Sequence, residues 1–205
     1  MSGEMAMGKG EIFIVDDDSA VLDALSLVFS LEGYEVSGFQ NGDSFLSAAR
    51  ARTPAGVILD VHMPGRSGLE ILRELNAEHY PSPIFIISGK GDIQMAVEAI
   101  KNGAFDFIEK PFEPNTVVTR VGDAIAASPS RQALAGEALA KKFPGYETLT
   151  PREREVLSQI TSGASNKEAG RRLGISPRTI EVHRARIMEK LGAKNAADLV
   201  RIVLS

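Results

Sequence analysis

The sequence contains no cysteine and no tryptophan, and only 6% of its 205 residues are aromatic. The absence of cysteine excludes disulfides, thiolate metal sites and a thiol nucleophile. The scarcity of aromatic rings leaves little for base stacking or for an aromatic cage around a ligand. No run approaches the roughly 18 consecutive apolar residues of a membrane span, and the first ten residues lack an apolar signal core. We therefore expect no membrane partner and no secretory signal.

Charge is divided unevenly along a chain whose formal net charge is −4. Residues 1–127 carry 9 basic and 19 acidic side chains, a net charge of −10, and residues 128–146 carry a net charge of +2. Residues 147–205 carry 11 basic and 7 acidic side chains, a net charge of +4. The asymmetry favours two domains with different partners, with a polyanion such as nucleic acid for the basic part. Ordinary variation in surface charge is the alternative.

Short apolar runs alternate with amphipathic segments over residues 10–127. We predict strands at 12–15, 34–39, 57–59, 84–87 and 105–108, and helices at 19–32, 43–51, 68–77, 93–101 and 115–127. Apolar strands alternating with helices predict an α/β domain with a five-stranded, parallel, doubly wound sheet of the flavodoxin-like type. Ser128, Pro129 and Ser130 are expected to end the last helix. A linker with some helical content is then predicted at 128–146, and a small all-α domain at 147–205.

Polar side chains come directly after four of the predicted strands. They are Asp16 and Asp17, Asp60, Ser88, and Lys110. In open parallel sheets, ligands bind beyond the carboxyl ends of the strands, where these residues should meet. An all-oxygen donor set suits Mg²⁺ or Mn²⁺, and carboxylate, metal, lysine and hydroxyl are the parts needed to move a phosphoryl group onto Asp60. The alternative is a set of solvated helix N-termini, where acidic residues favour the helix dipole.

Residues 10–127 resemble the receiver domain of two-component response regulators. The motifs that carry the resemblance are Ile14-Val15-Asp16-Asp17-Asp18, Asp60-Val61-His62-Met63-Pro64-Gly65, Ser88-Gly89 and Lys110-Pro111-Phe112. The resemblance implies that Asp60 accepts the phosphoryl group. It implies Mg²⁺ ligation by Asp16, Asp17, Asp60 and the backbone carbonyl of His62. It also implies a cis peptide at Lys110-Pro111.

Two further roles follow from the same resemblance. Ser88 and Lys110 would hold the acyl phosphate, and Ser88 with Phe107 would act as the switch pair. Position 88 is Ser where Thr is common in the family, and the hydroxyl is kept. His62 stands two residues after Asp60, at a position that tunes phosphoryl lifetime in the family.

Start and stop signals predict four helices after residue 147. Thr150 with Glu153 and Ser165 with Glu168 form two capping boxes, and Gly174 stands where a helix should stop. Ser176-Pro177 then begins another helix, so only a short Gly-containing turn separates the second helix from the third. That is the layout of a helix-turn-helix motif.

The third helix, 177–191, has two distinct faces at about 100° per residue. Its core stripe contains Ile180, Ile187 and Leu191, and the opposite face holds Arg178, Val182, Ala185 and Glu189. Small, apolar and basic side chains near a helix N-terminus suit base edges and phosphates. The candidate DNA contacts are Asn166, Lys167, Arg178, Thr179, Glu181, Val182, Ala185 and Arg186. The alternative is a helical bundle that binds protein.

Residues 149–204 resemble the LuxR-type helix-turn-helix of bacterial transcription factors. The motifs are Leu149-Thr150-Pro151-Arg152-Glu153-Arg154-Glu155-Val156-Leu157, Ser165-Asn166-Lys167-Glu168, Ser176-Pro177-Arg178-Thr179-Ile180-Glu181-Val182-His183-Arg184 and Met188-Glu189-Lys190-Leu191. The resemblance implies base reading by Glu181, Val182 and Ala185. One departure is Gly170, where the family usually has Ala. A glycine inside a helix costs about 1 kcal/mol, so we expect a less stable second helix.

Together the two resemblances identify the chain as a response regulator of the FixJ type in the bacterial cytoplasm. They imply a sensor histidine kinase, double-stranded promoter DNA and a phosphorylation-dependent homodimer as partners, with RNA polymerase as a further candidate, and no turnover of an external substrate. Two rival interpretations stay open from the residues alone. One is a phosphohydrolase with Asp60 as its nucleophile and His62 as its acid, and the other is a receiver-like protein that binds DNA constitutively.

Overall fold

The computed structural model describes residues 9–77, 80–89, 93–137 and 143–204. The chain divides after Ile125 into two compact units. Strands alternate with helices in the front unit, and the rear unit is helical. No helix among the described residues is both long enough and apolar enough to cross a membrane.

The front unit is built on a single parallel sheet. Its strands are β1 (Glu11–Val15), β2 (Glu35–Phe39), β3 (Gly56–Asp60), β4 (Ile84–Ser88) and β5 (Asp106–Glu109). The helices that follow them are α1 (Ser19–Leu31), α2 (Gly42–Ala51), α3 (Gly68–Glu74), α4 (Ile93–Lys101) and α5 (Pro114–Glu137). All neighbouring strands run parallel, in the order β2-β1-β3-β4-β5. The predicted α/β class is confirmed.

The core of the front unit explains why its central strands are unbroken apolar runs. Every residue of β3 and of β4 is buried, because helices cover both faces of the sheet. On one face, Leu25 and Phe29 of α1 pack with Val117 and Val121 of α5 against Ile12 and its neighbours in the sheet. This packing holds the carboxyl ends of the strands at one edge.

Two predicted helix ends were wrong. Helix α3 stops at Glu74 rather than at Ala77, because Asn76 adopts a left-handed conformation with φ of 51° that no helix can continue. Helix α5 does not end at 128–130 but continues to Glu137. Alanines are frequent on both sides of Pro129 and favour the helix, while the proline removes a single N–H donor. Much of the predicted 128–146 linker is therefore helical, and residues 138–142 lie outside the described part.

The rear unit contains the four predicted helices. They are α6 (Pro151–Thr161), α7 (Asn166–Leu173), α8 (Pro177–Leu191) and α9 (Ala196–Leu204), preceded by a 3-10 turn at Tyr146–Thr148. Both predicted capping boxes are present, at the starts of α6 and α7. Gly174 ends α7 in a left-handed conformation with φ of 66°. The short turn from α7 to α8 confirms the helix-turn-helix layout.

The structure explains why residue 170 is a glycine, which the sequence alone did not. A Cβ atom at this residue would lie 2.7 Å from the carbonyl oxygen of Ile175 and 3.3 Å from the nitrogen of Pro177. The amide of Ile175 also donates to the carbonyl of Gly170. Helix α7 thus packs directly against the backbone of the turn before α8. The close packing offsets the intrinsic cost of a glycine in the helix.

Candidate functional site

Two buried carboxylates meet at the carboxyl edge of the sheet. Asp16 follows β1 and Asp60 is the last residue of β3, and these strands are neighbours in the sheet. Asp16 is 0% exposed and Asp60 is 3% exposed. Two buried acidic groups on neighbouring strands require cations nearby, because burial removes the water that would otherwise stabilise their charge.

Lys110, at the end of β5, supplies the nearest cation. Its Nζ lies 2.9 Å from Oδ2 of Asp16 and 2.8 Å from Oδ1 of Asp60. The backbone nitrogen of Lys110 donates to the carbonyl of Ser88, which joins the ends of β4 and β5. The Lys110-Pro111 peptide bond is cis. One ammonium group therefore bridges two carboxylates that belong to different strands.

Backbone groups hold the other oxygens of both carboxylates. The amide of His62 donates to Oδ2 of Asp60 over 2.7 Å, and the amide of Asp18 donates to Oδ1 of Asp16 over 2.9 Å. Gly68, at the start of α3, packs so closely that a Cβ there would overlap the carbonyl oxygen of Asp60. The loop between β3 and α3 is thereby folded tightly around Asp60, which fixes the direction of its side chain.

The electrostatics of the site favour a reactive carboxylate beside a charged lysine. Burial raises the pKa of Asp60, and the hydrogen bond from Lys110 opposes that rise. Burial alone would lower the pKa of Lys110, but hydrogen bonds to Asp60 and Asp16 outweigh it and raise that pKa. Lys110 therefore stays protonated. Two carboxylates share this one ammonium, so the site has a surplus of negative charge.

The other predicted receiver residues lie in different environments. Asp17 and His62 are exposed, Ser88 is buried at the end of β4, and Phe107 is half-buried on β5. Asp17 makes no hydrogen bond or ion pair with any described residue. In the described residues, no three acidic or histidine side chains already surround one point as a metal site would. The donor atoms are nonetheless all oxygens, and their surplus charge suits a divalent cation.

In the rear unit, the structure sorts the predicted contacts of α8 by exposure. Glu181, Ala185 and Glu189 are exposed, whereas Arg178 and Val182 are half-buried. Thr179 is 0% exposed, and its hydroxyl lies 2.8 Å from that of Ser176, the residue that caps the helix. The side chain of Thr179 is thus part of the helix start and does not belong to the exposed face.

Arg186 is also directed inward. Its Nε lies 3.3 Å from Oε1 of Glu153, and its side chain is only 18% exposed. Glu153 is fully buried, and its Oε2 accepts from Nζ of Lys190 over 2.8 Å and from the amide of Thr150 over 2.9 Å. A buried carboxylate therefore joins α6 to α8 through two cations. The capping box predicted the position of Glu153 in the helix, but no local pattern indicated these two partners.

The beginning of α7 places further polar groups beside α8. Lys167 is exposed, and the side-chain oxygen of Asn166 accepts from Nη1 of Arg184 over 3.2 Å. Sequence reasoning did not include Arg184 among the DNA contacts. Its basic character and its position one turn after Glu181 would have been the available signal. The pair Asn166–Arg184 connects the two helices of the motif on one side.

His183 is buried on α8 in the rear unit. It is 4% exposed, and neither ring nitrogen has a hydrogen-bond partner among the described residues. Burial, together with the charges of Arg152, Arg186 and Lys190, lowers its pKa to about 3. The imidazole is therefore neutral near pH 7 and acts as a packing group.

Comparison with known proteins places both units in established families. Residues 12–122 match the response regulator receiver domain, and residues 147–203 match the bacterial regulatory proteins of the luxR family. The chain is 40% identical over 197 residues to the transcriptional regulatory protein FixJ of Bradyrhizobium diazoefficiens, covering 96% of this chain and 95% of that one. FixJ of Rhizobium meliloti is 39% identical, with 95% of each chain covered. A crystal structure of full-length FixJ from B. japonicum superposes with a TM-score of 0.58 at 39% identity, covering 96% of this chain and 97% of that one.

Proposed function

The chain belongs to the response regulators that join a receiver domain to a LuxR-family DNA-binding domain, and on that premise we propose that phosphoryl transfer from a sensor histidine kinase to Asp60 controls its binding to promoter DNA. Its family consists of transcriptional regulators, not of enzymes that turn over an external substrate. The observation that carries the proposal is the Lys110 bridge between Asp16 and Asp60 at the carboxyl edge of the sheet.

In the proposed reaction, Asp60 is the nucleophile. One of its carboxylate oxygens attacks the phosphorus of the kinase's phosphohistidine, forming an O–P bond while the N–P bond breaks. The electron pair of the broken bond remains on the imidazole nitrogen, which takes a proton from solvent. The amide of His62 holds the carboxylate in place, and the ammonium of Lys110 and the hydroxyl of Ser88 donate to the oxygens of the transferred group.

The receiver site is proposed to require Mg²⁺, for which Mn²⁺ can substitute. Asp16, Asp17, Asp60 and the backbone carbonyl of His62 would hold the ion. The fit rests on the all-oxygen donor set, on the unpaired carboxylate of Asp17 and on the surplus negative charge left by a single lysine. When bound, the ion supplies positive charge that neutralises the oxygens of the transferring phosphoryl group.

The effect of phosphorylation on the receiver surface is proposed to pass through Ser88 and Phe107. The negatively charged phosphoryl group on Asp60 would attract the side chains of Lys110 and Ser88. Because the backbone amide of Lys110 donates to the carbonyl of Ser88, this change would involve both β4 and β5. Phe107 lies on β5, half-buried, where a change in its surroundings alters the face formed by α4 and β5. That face is the proposed dimer interface.

Dimerisation would bring two rear units to adjacent DNA half-sites, about 10 bp apart from centre to centre. Arg178, Glu181, Val182 and Ala185 of α8 would enter the major groove, while Asn166 and Lys167 at the start of α7 contact phosphates. Promoter DNA is in the bacterial cytoplasm, and we place the protein there.

The test is sedimentation of the full chain with Mg²⁺, with and without beryllofluoride, a mimic of the phosphoryl group on an aspartate. We expect a monomer to become a dimer with the mimic and to bind DNA more tightly. The variant Asp60→Asn should do neither. If neither the assembly nor the DNA affinity of the chain changes when the mimic is added, the proposal is contradicted and the constitutive interpretation is supported.

A further inference from the structure

The DNA-facing side of α8 contains an acidic residue where basic ones would be expected. Glu181 is exposed in the first half of the helix, three residues after Arg178 and three before Arg184. This half is the part of a recognition helix that contacts base edges. A carboxylate at this place must approach the phosphates of DNA, which repel it. Its presence therefore needs a compensating interaction.

The protein itself does not supply that interaction. Residues three apart on a helix are close enough to pair, yet Glu181 forms no hydrogen bond or ion pair with any described residue. Arg184 instead donates to the side chain of Asn166 on α7. Arg178 likewise makes no ion pair within the described part of the chain. The carboxylate of Glu181 thus remains an available acceptor.

The edges of the four bases differ in what they offer to a carboxylate. In the major groove, cytosine presents the N4 amino group, a donor, and no acceptor beside it. Adenine presents the N6 amino group next to the N7 acceptor, and guanine and thymine present acceptors there. A carboxylate accepts hydrogen bonds and cannot donate them, so it is repelled by N7, O6 and O4. Cytosine is the base that fits.

We propose that Glu181 selects a cytosine in each half-site of the operator by accepting a hydrogen bond from its N4 amino group. The inference rests on the proposed function, since it needs α8 to enter the major groove. Glu181 is thereby the residue that turns a general attraction for DNA into a preference at one base pair, while Arg178 and Lys167 supply the attraction.

The experiment is selection from a fully randomised duplex library, which requires no known operator. The full chain is used with Mg²⁺ and beryllofluoride, as wild type and as the variants Glu181→Gln and Glu189→Gln. Glu189 is the matched control, because it is an exposed acidic residue on the same helix, two turns further from the base-reading end. Both variants remove one negative charge and keep the size of the side chain.

We expect the wild type to favour cytosine about tenfold at one position of each half-site. Glu181→Gln should change that position alone, towards adenine, because an amide both donates to N7 and accepts from N6. Glu189→Gln should keep the wild-type motif. An unchanged motif in Glu181→Gln overturns the inference, as does a Glu181-sensitive position that favours another base in the wild type.

The failure of the proposed function has a different outcome. If the wild type binds no DNA in the presence of the mimic, or binds without enriching any sequence, then sequence-specific DNA binding fails and the role of Glu181 fails with it. If a motif emerges equally with and without the mimic, only the phosphorylation control fails. The two variants, Glu181→Gln and Glu189→Gln, then still test whether Glu181 selects cytosine.

Discussion

The two units of the chain each bury carboxylates beside cations, but in opposite proportions. In the receiver, Asp16 and Asp60 share the single ammonium of Lys110. In the rear unit, the single carboxylate of Glu153 lies between Arg186 and Lys190. The receiver cluster therefore has a surplus of negative charge. The cluster around Glu153 has a surplus of positive charge.

The two clusters differ in what their charges favour, which is reaction at the proposed phosphorylation site and structural support around Glu153. A buried carboxylate with too few cations can bind a further one and can gain by forming a covalent bond that changes its charge. The buried carboxylate of Glu153 contacts two cations and a backbone amide, so its charge is neutralised, and it joins two helices. The number of partners, rather than burial itself, distinguishes Asp60 from Glu153.

The largest effect on phosphorylation is expected where the receiver site loses the ammonium of Lys110. Lys110→Ala should slow phosphorylation of Asp60 about 100-fold, because the transferred oxygens lose a preorganised positive charge. The measurement is incorporation of phosphate from a small phosphoramidate donor in Mg²⁺. Lys9→Ala removes an exposed lysine that precedes β1, at the opposite end of that strand from Asp16, and should keep the wild-type rate. Equal rates for the two variants would show that Lys110 contributes nothing to transfer.

Removing the buried acid of the rear unit should affect stability instead. Glu153→Ala removes the buried carboxylate that Arg186 and Lys190 contact and half of a capping box, so we expect a loss of about 3–5 kcal/mol. Calorimetry of the full chain can follow the rear transition with the receiver transition as internal reference. Glu189→Ala, at an exposed position, should change stability by less than about 0.5 kcal/mol. A Glu153 variant as stable as this control contradicts the structural role.

Gly170→Ala tests the close packing of α7 against the turn. Helix propensity alone predicts a gain of about 1 kcal/mol, whereas the contact with the carbonyl of Ile175 predicts a loss of about 1–3 kcal/mol. The sign of the change in unfolding free energy decides between them. Arg171→Ala, on the exposed side of the same helix, serves as the control and should be nearly neutral.

The effect expected to be smallest near neutral pH is a pH dependence of the rear unit. The pKa of His183 is about 3 when folded, below its ordinary value of 6.5, so the unfolded chain binds a proton that the folded chain does not. Its contribution to stability is therefore complete above about pH 6.5 and declines as the pH falls towards 3, by about 1.4 kcal/mol per pH unit. His183→Met should lack this part of the slope in unfolding measured between pH 7.5 and pH 5. If the free energy of unfolding of the two proteins changes equally with pH, His183 does not cause this pH dependence.

Much of the candidate site was predictable because it depends on local patterns. The apolar strands, the polar residues after them and the capping boxes each occupy a few consecutive positions. The proposed roles of the individual residues remain predictions to be tested. Thr179 and Arg186 show where local patterns are insufficient, since a helical wheel gives a residue's direction but not the neighbour it meets.

The sequence by itself determined the order of strands and helices, the meeting of Asp16, Asp60 and Lys110 at one sheet edge, and the helix-turn-helix layout. Periodicity and parallel-sheet topology are sufficient for these features, because each follows from residues close together or from strand direction. Only the tertiary structure decided that Glu153 contacts two cations, that α7 requires Gly170 against the turn, and that Glu181 pairs with neither Arg178 nor Arg184. Those outcomes depend on contacts between residues distant in sequence or on competition among neighbours, which no local pattern encodes.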